Sequence, residues 1–370
     1  MSAAIEFFGS AVTSAGHAAL PSPFRLWRGG ELRGASVAYE TWGRLNAAAD
    51  NAILLFTGLS PSAHAASSEQ NARPGWWELM IGPDCALDTR RWFVICVNSL
   101  GSCFGSTGPA SIDPATGLRY GANFPQLSIE DIARGGRAVL EHLGITQAHT
   151  VAGPSLGGVA ALAYVALFPQ GARRLLSISG TDAATPYAIA LRSIQREAVT
   201  SDPAWRGGDY DPATPPRLGL ALARKIGTVT YRSAAELQQR FGRAPSTTGR
   251  DFAVQDYLAQ QAAKFVDAFD ANSYLQLSSA LDRFDLAHHG EPSAIFRRAH
   301  LEAALVIGIE LDHLFTIDEQ ARIAAALRAG GVPTTFARLD SLAGHDAFLV
   351  DFAQFDSTIR PWLSGDRHAP

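Results

Sequence analysis

The chain has 370 residues, of which 47% are hydrophobic and 18% charged, and its formal net charge is −4. That length can bury a large core, and the slight acidity supplies no basic field for nucleic acid or an anionic membrane surface, so the partners expected are small molecules, with no nucleic acid and no membrane. Cys85, Cys96 and Cys103 are odd in number and lack metal-ligand spacing, which argues against disulfides and a zinc site.

Met1 to Leu20 contains no positive stretch followed by a sustained apolar run, and no later run is long enough to span a bilayer, so a cytoplasmic location is expected. Ala35 to Glu40, Asn51 to Phe56 and Trp92 to Val97 then read as strands. Cys96, inside the third, reads as core. Cys103 lies in the loop Gly101-Ser102-Cys103-Phe104-Gly105, with no neighbouring histidine to serve as its base. Ile129 to Leu143 has a helical pattern stopped by Gly144. Thr150 to Ala152 (strand), Leu156 to Phe168 (helix, ending before Pro169) and Leu175 to Ser179 (strand) follow. Between Thr185 and about Arg297 the pattern turns to amphipathic helices interrupted by Pro203, Pro212 and Pro215-Pro216. Ala304 to Ile309, Asp318 to Ala329 and Thr334 to Leu339 complete the series as strand, helix and strand. Most of the strands are apolar on both faces, as central parallel strands are. The expected fold is α/β: a mostly parallel, doubly wound sheet built from residues 1–184 and 298–370, with a helical lid inserted at 185–297.

One motif dominates this pattern. Gly153-Pro154-Ser155-Leu156-Gly157 places a serine between glycines where a strand meets a helix. This is the form of a nucleophile elbow: the glycines permit a sharp turn, Ser155 Oγ projects above the sheet, and the helix N-terminus favours developing negative charge. Such a serine needs a base and an acid, which on this kind of fold come later in the chain, on loops past strand ends, in the order Ser, Asp or Glu, His. Asp312, in Gly308-Ile309-Glu310-Leu311-Asp312-His313, and His345, in Ala343-Gly344-His345-Asp346, both qualify. Glu310 competes with Asp312, but its longer side chain, two residues closer to the strand, meets an imidazole less naturally. Most of the remaining histidines, including His64, His149 and His289, carry no distinguishing signal. The oxyanion hole needs two backbone N–H groups. Leu156 supplies one, and Leu59, in the loop Gly58-Leu59-Ser60-Pro61 after the strand Asn51 to Phe56, is the candidate for the other.

These residues, with Trp76-Trp77, Asn98-Ser99-Leu100-Gly101, Gly105-Ser106-Thr107-Gly108-Pro109, Gln195-Arg196, Gly219 to Arg224, Tyr231-Arg232-Ser233 and Gly344-His345-Asp346-Ala347-Phe348-Leu349, carry a resemblance over nearly the whole chain. The sequence resembles the homoserine O-acyltransferases of the α/β-hydrolase fold, most closely their serine O-succinyltransferase branch. The resemblance implies a triad of Ser155, Asp312 and His345, a cytoplasmic homodimer, and an acyl-CoA co-substrate with no cofactor or metal. It also implies that Arg224 and Asp346 hold the amino-acid acceptor, and a guanidinium and a carboxylate do suit an amino acid's two charges.

Donor and acceptor are expected to follow from two further features. Acetyl-transferring relatives usually carry a neutral residue where this chain has Arg192, and a guanidinium facing the acyl pocket suits the distal carboxylate of a succinyl group. Leu314 departs from the arginine of succinyl-transferring homoserine enzymes, so succinyl selection would arise separately here. Gly58-Leu59-Ser60-Pro61 replaces an Ala-Leu-Thr-Gly-type loop, and Pro61 stiffens its path. The expectation is transfer from succinyl-CoA to L-serine through an acyl-enzyme, feeding cysteine synthesis, with some activity on L-homoserine, since one methylene is worth only about 1–3 kcal/mol. The alternatives are a homoserine O-succinyl- or O-acetyltransferase, an acyl-CoA thioesterase or esterase, and a non-catalytic binding protein.

Overall fold

A computed structural model describes residues 14–365. The expectation about Met1 to Leu20 therefore falls mostly on residues outside those described, as do the outer ends of segments 1–184 and 298–370. In chain order the first strands are β1 (Ala15–Ala19), β2 (Phe24–Arg25), β3 (Glu31–Leu32), β4 (Ser36–Trp42), β5 (Ala52–Phe56) and β6 (Phe93–Val97). Next come α1 (Ile129–His142), β7 (Ala148–Pro154), α2 (Leu156–Leu167) and β8 (Ala172–Ile178). A helical stretch holds α3 (Pro186–Thr200), α4 (Arg217–Tyr231), α5 (Ala234–Phe241), α6 (Ala253–Ala268), α7 (Ala271–Arg283) and α8 (Pro292–Arg298). The chain then returns to the sheet with β9 (Ala303–Ile309), α9 (Ile317–Ala329), β10 (Thr334–Leu339) and α10 (Phe352–Ser364).

Eight strands form one sheet in the order β1-β4-β6-β5-β7-β8-β9-β10. The pairs from β6 through β10 are parallel, while β4 is antiparallel to both β1 and β6. Every residue of β5 and β6 is buried, because both faces of the sheet are covered. Leu54 and Phe56 face the core shared with α1, α2 and α9, whereas Ile53 and Leu55 face Trp77, Met80 and α10. That period-two split explains why the central strands read as unbroken apolar runs.

Several sequence expectations need correction. The strand at Thr150 to Ala152 extends over β7, whose ends are carried by backbone pairing with β8 that no side-chain pattern announces. β1 has small, largely exposed side chains and owes its place to pairing with β4. The helix α10 lies outside the expected elements, although its Phe355, Ile359 and Trp362 bury one face on the sheet. The antiparallel pairing of β4 leaves the sheet mostly parallel, as expected. The parallel strands point the same way, so the loops after β5, β7, β9 and β10 gather at their carboxyl ends, where sites on open α/β sheets form.

Candidate active site

Ser155 stands at the junction of β7 and α2 with φ 57° and ψ −124°, a backbone conformation rare for a residue with a side chain. Its N–H donates to Ile178 O at 2.9 Å and its carbonyl accepts from Val159 N at 3.1 Å, so both sides of the turn are pinned. The flanking glycines are sterically required: a Cβ on Gly157 would collide with the Phe56 carbonyl, and one on Gly153 with the backbone of Gly157. Strain held this firmly at one serine is the arrangement expected of a presented nucleophile.

The loop after β10 brings His345 to it. Ser155 Oγ lies 2.8 Å from His345 Nε2, and His345 Nδ1 lies 2.7 Å from Asp312 Oδ2. The other oxygen of Asp312 accepts from the N–H groups of Leu314 and Phe315, both at 2.9 Å, which orients the carboxylate. A carboxylate accepting at Nδ1 keeps the ring proton there and leaves Nε2 to receive the serine proton. Burial pulls the His345 pKa down, but the charge of Asp312 and its hydrogen bond outweigh burial and hold the pKa above the ordinary histidine value. Phe315, Tyr231 and Phe348 surround the ring, with centroids 5.2, 5.6 and 6.0 Å away. Gly344 has φ 60°, and a Cβ there would come within 2.9 Å of Tyr231 O, so the approach of this loop to α4 also depends on glycine. Glu310, the competing acid, pairs with Arg338 at the surface, 2.7 Å apart.

Leu156 is the first residue of α2, and Leu59 lines a small cavity together with Ser155. Among the described residues neither backbone N–H makes another hydrogen bond. Cys103 does not join the site: its sulfur accepts from Asp270 N, and burial pushes its thiol pKa up to about 11. Among the described residues no group of three His, Cys, Asp or Glu is arranged to hold a metal.

Two cavities lie at the site, one lined by Ser155 and the other by Asp346, the chain neighbour of His345. The one beside Ser155 has a volume of about 20 Å³ and is lined by Arg192, Gln195, Tyr231, Tyr274 and Phe315, among others. That is room for about one water molecule. Arg192 is 5% exposed, and its Nη1 and Nη2 are buried without a hydrogen-bond partner. The larger cavity, about 720 Å³, is lined by Arg224, Arg232, Glu236, Tyr257 and Asp346. Arg224 stacks its guanidinium over Phe265 at 4.8 Å and Tyr231 at 5.8 Å, and its Nε has no partner. Asp346 is not free: Arg232 Nε pairs with it at 3.0 Å. Ser233 Oγ also donates to Leu342 O at 2.5 Å, tying the junction of α4 and α5 to the histidine loop.

Of the residues expected from the sequence, Ser155, Asp312, His345, Arg192, Arg224 and Asp346 come from five separate stretches, with His345 and Asp346 adjacent in one loop; Ser155 and Arg192 line the smaller cavity, and Arg224 and Asp346 the larger. Sequence reasoning did not single out Arg232, Tyr231, Arg196 or Asp282. The first three lie in stretches that carry the family resemblance but have no chemical signature of their own, and Asp282 has no signal at all. An ion pair between distant helices leaves no spacing to read.

The family model described as alpha/beta hydrolase fold matches residues 51–352. A serine O-succinyltransferase of Litchfieldella anticariensis is 53% identical over 355 residues, covering 93% of this chain and 97% of the relative. One of Stenotrophomonas maltophilia is 52% identical, covering 93% and 96%. Among solved structures, an esterase superposes with TM-score 0.87 at 26% identity, covering 95% of this chain and 100% of the other. A homoserine O-acetyltransferase from Bacillus anthracis superposes with TM-score 0.88 at 24% identity, covering 97% and 99%, which speaks to the fold alone.

Proposed function

The chain belongs to the α/β-hydrolase fold family and, within it, to the serine O-succinyltransferases, and we propose that it moves a succinyl group from succinyl-CoA to the hydroxyl of L-serine. The observation that carries the donor assignment is the sharing of one cavity by Ser155, hydrogen-bonded through His345 to Asp312, and the two unpartnered terminal nitrogens of Arg192.

The reaction runs as a double displacement. Ser155 Oγ attacks the thioester carbon while its proton passes to His345 Nε2; the N–H groups of Leu59 and Leu156 receive the negative oxygen. The C–S bond breaks, the sulfur takes the proton from His345, and CoA departs as the thiol. L-serine then enters with its carboxylate toward Arg224 and its ammonium toward Asp346, a carboxylate it shares with Arg232. His345 accepts the hydroxyl proton as that oxygen attacks the acyl-enzyme, and the proton returns to Ser155 as the ester leaves. Asp312 stabilises the imidazolium in both halves. Each step is proton transfer and acyl exchange, which requires neither a metal nor a redox cofactor.

The acceptor assignment draws on the activity for which the relatives are named and on the Gly58-Leu59-Ser60-Pro61 loop, whose Leu59 lines the same cavity as Ser155. Homoserine, one methylene longer, is expected as a slower acceptor. Hydrolysis is the competing outcome, since the same serine triad would serve it and one solved structure of this fold is named an esterase. Positioning the acceptor between Arg224 and Asp346 favours transfer, since a held alcohol outcompetes water by effective concentration. Among the described residues no helix is long and apolar enough to cross a membrane. Independently of that, we propose a cytoplasmic homodimer, which is what the family resemblance implies. The surface we propose for that contact is Leu218, Leu222 and Val229 on α4 with Tyr187 and Ile194 on α3, all exposed in the single chain.

The test is CoA release from succinyl-CoA and acetyl-CoA, each with L-serine, L-homoserine or no acceptor, with mass analysis of the products. Serine-dependent release favouring succinyl-CoA is expected. Faster release with homoserine moves the acceptor assignment, and release that ignores acceptors makes the protein a hydrolase.

A further inference from the structure

Arg192, on α3, is one of three paired charged side chains in a largely buried cluster. Its Nε donates to Asp282 Oδ1 on α7 at 2.5 Å. The second oxygen of Asp282 pairs with Arg196 Nη2 at 2.6 Å, and Arg196 Nη1 donates to Ser278 Oγ at 2.9 Å. The side chains of Arg192, Asp282 and Arg196 are 6%, 11% and 21% exposed. Two cations therefore pair with one carboxylate, with Arg283 also acting on Asp282 and Arg196 without an ion pair to either, and the cluster carries a surplus positive charge in a place where an uncompensated charge is costly.

The geometry decides where that surplus acts. Asp282 engages Arg192 only through Nε, and Nη1 and Nη2 are the atoms left buried without partners. Arg192 and Ser278 line the Ser155 cavity, whereas Asp282 and Arg196 are not among its lining residues and stand behind it. A guanidinium held at Nε presents its paired terminal nitrogens forward, the edge that receives a carboxylate through two parallel hydrogen bonds. Arg196 occupies the oxygen of Asp282 that would otherwise swing onto a terminal nitrogen of Arg192 and cancel its charge.

We propose that Asp282 and Arg196 are the positioning residues for donor choice: Asp282 fixes Arg192 by Nε, and Arg196 holds Asp282 half-neutralised, so that both terminal nitrogens of Arg192 stay available to the distal carboxylate of the acyl group. This rests on the assignment of Arg192 to that carboxylate.

Steady-state kinetics with succinyl-CoA and acetyl-CoA, at saturating L-serine, on the wild type, Arg192→Gln, Asp282→Asn and Arg196→Gln test it. Asp282→Asn and Arg196→Gln are each expected to raise the KM for succinyl-CoA about tenfold, the scale of one charged hydrogen bond, while acetyl-CoA parameters move much less. Three results overturn the proposal. Tighter use of succinyl-CoA by Asp282→Asn would mean that net charge alone governs donor choice. Parallel losses with both donors would reduce the cluster to a structural brace. Loss of succinyl preference in Arg192→Gln with the other two variants unchanged would remove Asp282 and Arg196 from donor choice and leave the Arg192 assignment standing. A wild type indifferent to the donor would take that assignment down as well. Should Asp282→Asn fail to fold, Arg196→Gln decides, because it keeps the Arg192–Asp282 pair and is expected to lose succinyl preference by neutralising it.

Discussion

At the scale of single residues, the site depends on proton placement. His345 has to be neutral to accept the Ser155 proton. The charge and hydrogen bond of Asp312 outweigh burial and hold the imidazole pKa above the ordinary value of about 6.5. Activity is therefore lost as pH falls: kcat/KM is expected to climb with pH through an apparent pKa above about 6.5 and then level off. Asp312→Asn removes the raising charge and disturbs the tautomer, so its limb moves to lower pH and its plateau drops about 10⁴-fold. A wild-type limb below 6.5, or an Asp312→Asn limb that does not move, would contradict this account of His345.

At the scale of elements, the elbow is the most demanding piece. Gly157 packs against the Phe56 carbonyl at the end of β5, which no side chain can shift cheaply. Gly157→Ala should cost about 1–3 kcal/mol of stability, the usual penalty of overpacking a tight site, read from urea unfolding; an unperturbed midpoint would show that the turn relaxes. The segment after β5 has its own anchor in His64, whose Nδ1 lies 2.8 Å from Glu40 Oε2 and whose Nε2 lies 2.8 Å from Arg73 O. A carbonyl can only accept, and a carboxylate does so when ionised, so this geometry is complete when both ring nitrogens carry protons. Burial opposes that form, but the hydrogen bonds to Glu40 and Arg73 and the charge of Glu40 prevail, and the His64 pKa is raised. A raised histidine pKa contributes stability fully below the unfolded value of about 6.5 and loses it as pH rises through the folded value. His64→Gln is expected to lower stability by about 1 kcal/mol near pH 6 and by less near pH 9. Equal differences at both pH values would place the effect in packing rather than charge.

At the scale of the whole molecule, the helical stretch from α3 to α8 does two jobs. Its α3, α4 and α7 meet the loops after β5, β7 and β9 at the Ser155 cavity, where they place the Arg192 proposed to select the donor. It also leaves Leu218 82% exposed and Leu222 51% exposed on α4. Exposed leucines one turn apart on a helix are a poor surface for an isolated chain and a good one for a symmetric partner. On the proposed homodimer, sedimentation should show a dimer for the wild type and a monomer for Leu218→Asp/Leu222→Asp; a monomeric wild type would overturn the homodimer itself. A variant that remains dimeric would put the interface elsewhere.

Much of this protein was legible along the chain. Apolar runs marked the buried strands, because a strand covered on both faces has to be apolar throughout. The glycines around Ser155 marked the turn, because nothing larger fits between β5 and α2. The order Ser155, Asp312, His345 followed from which loops lie at one edge of a parallel sheet. The antiparallel pairing of β1 and β4 was not legible, because backbone hydrogen bonds carry it and small side chains do not announce it. Nor was Arg232 on Asp346, or Asp282 between Arg192 and Arg196. Sequence by itself determined the fold class and the residue types able to do the chemistry, since both arise from local pattern and spacing. Only the tertiary structure decided which charges meet, because an ion pair between residues 192 and 282 depends on how two helices pack, and packing is a property of the whole chain.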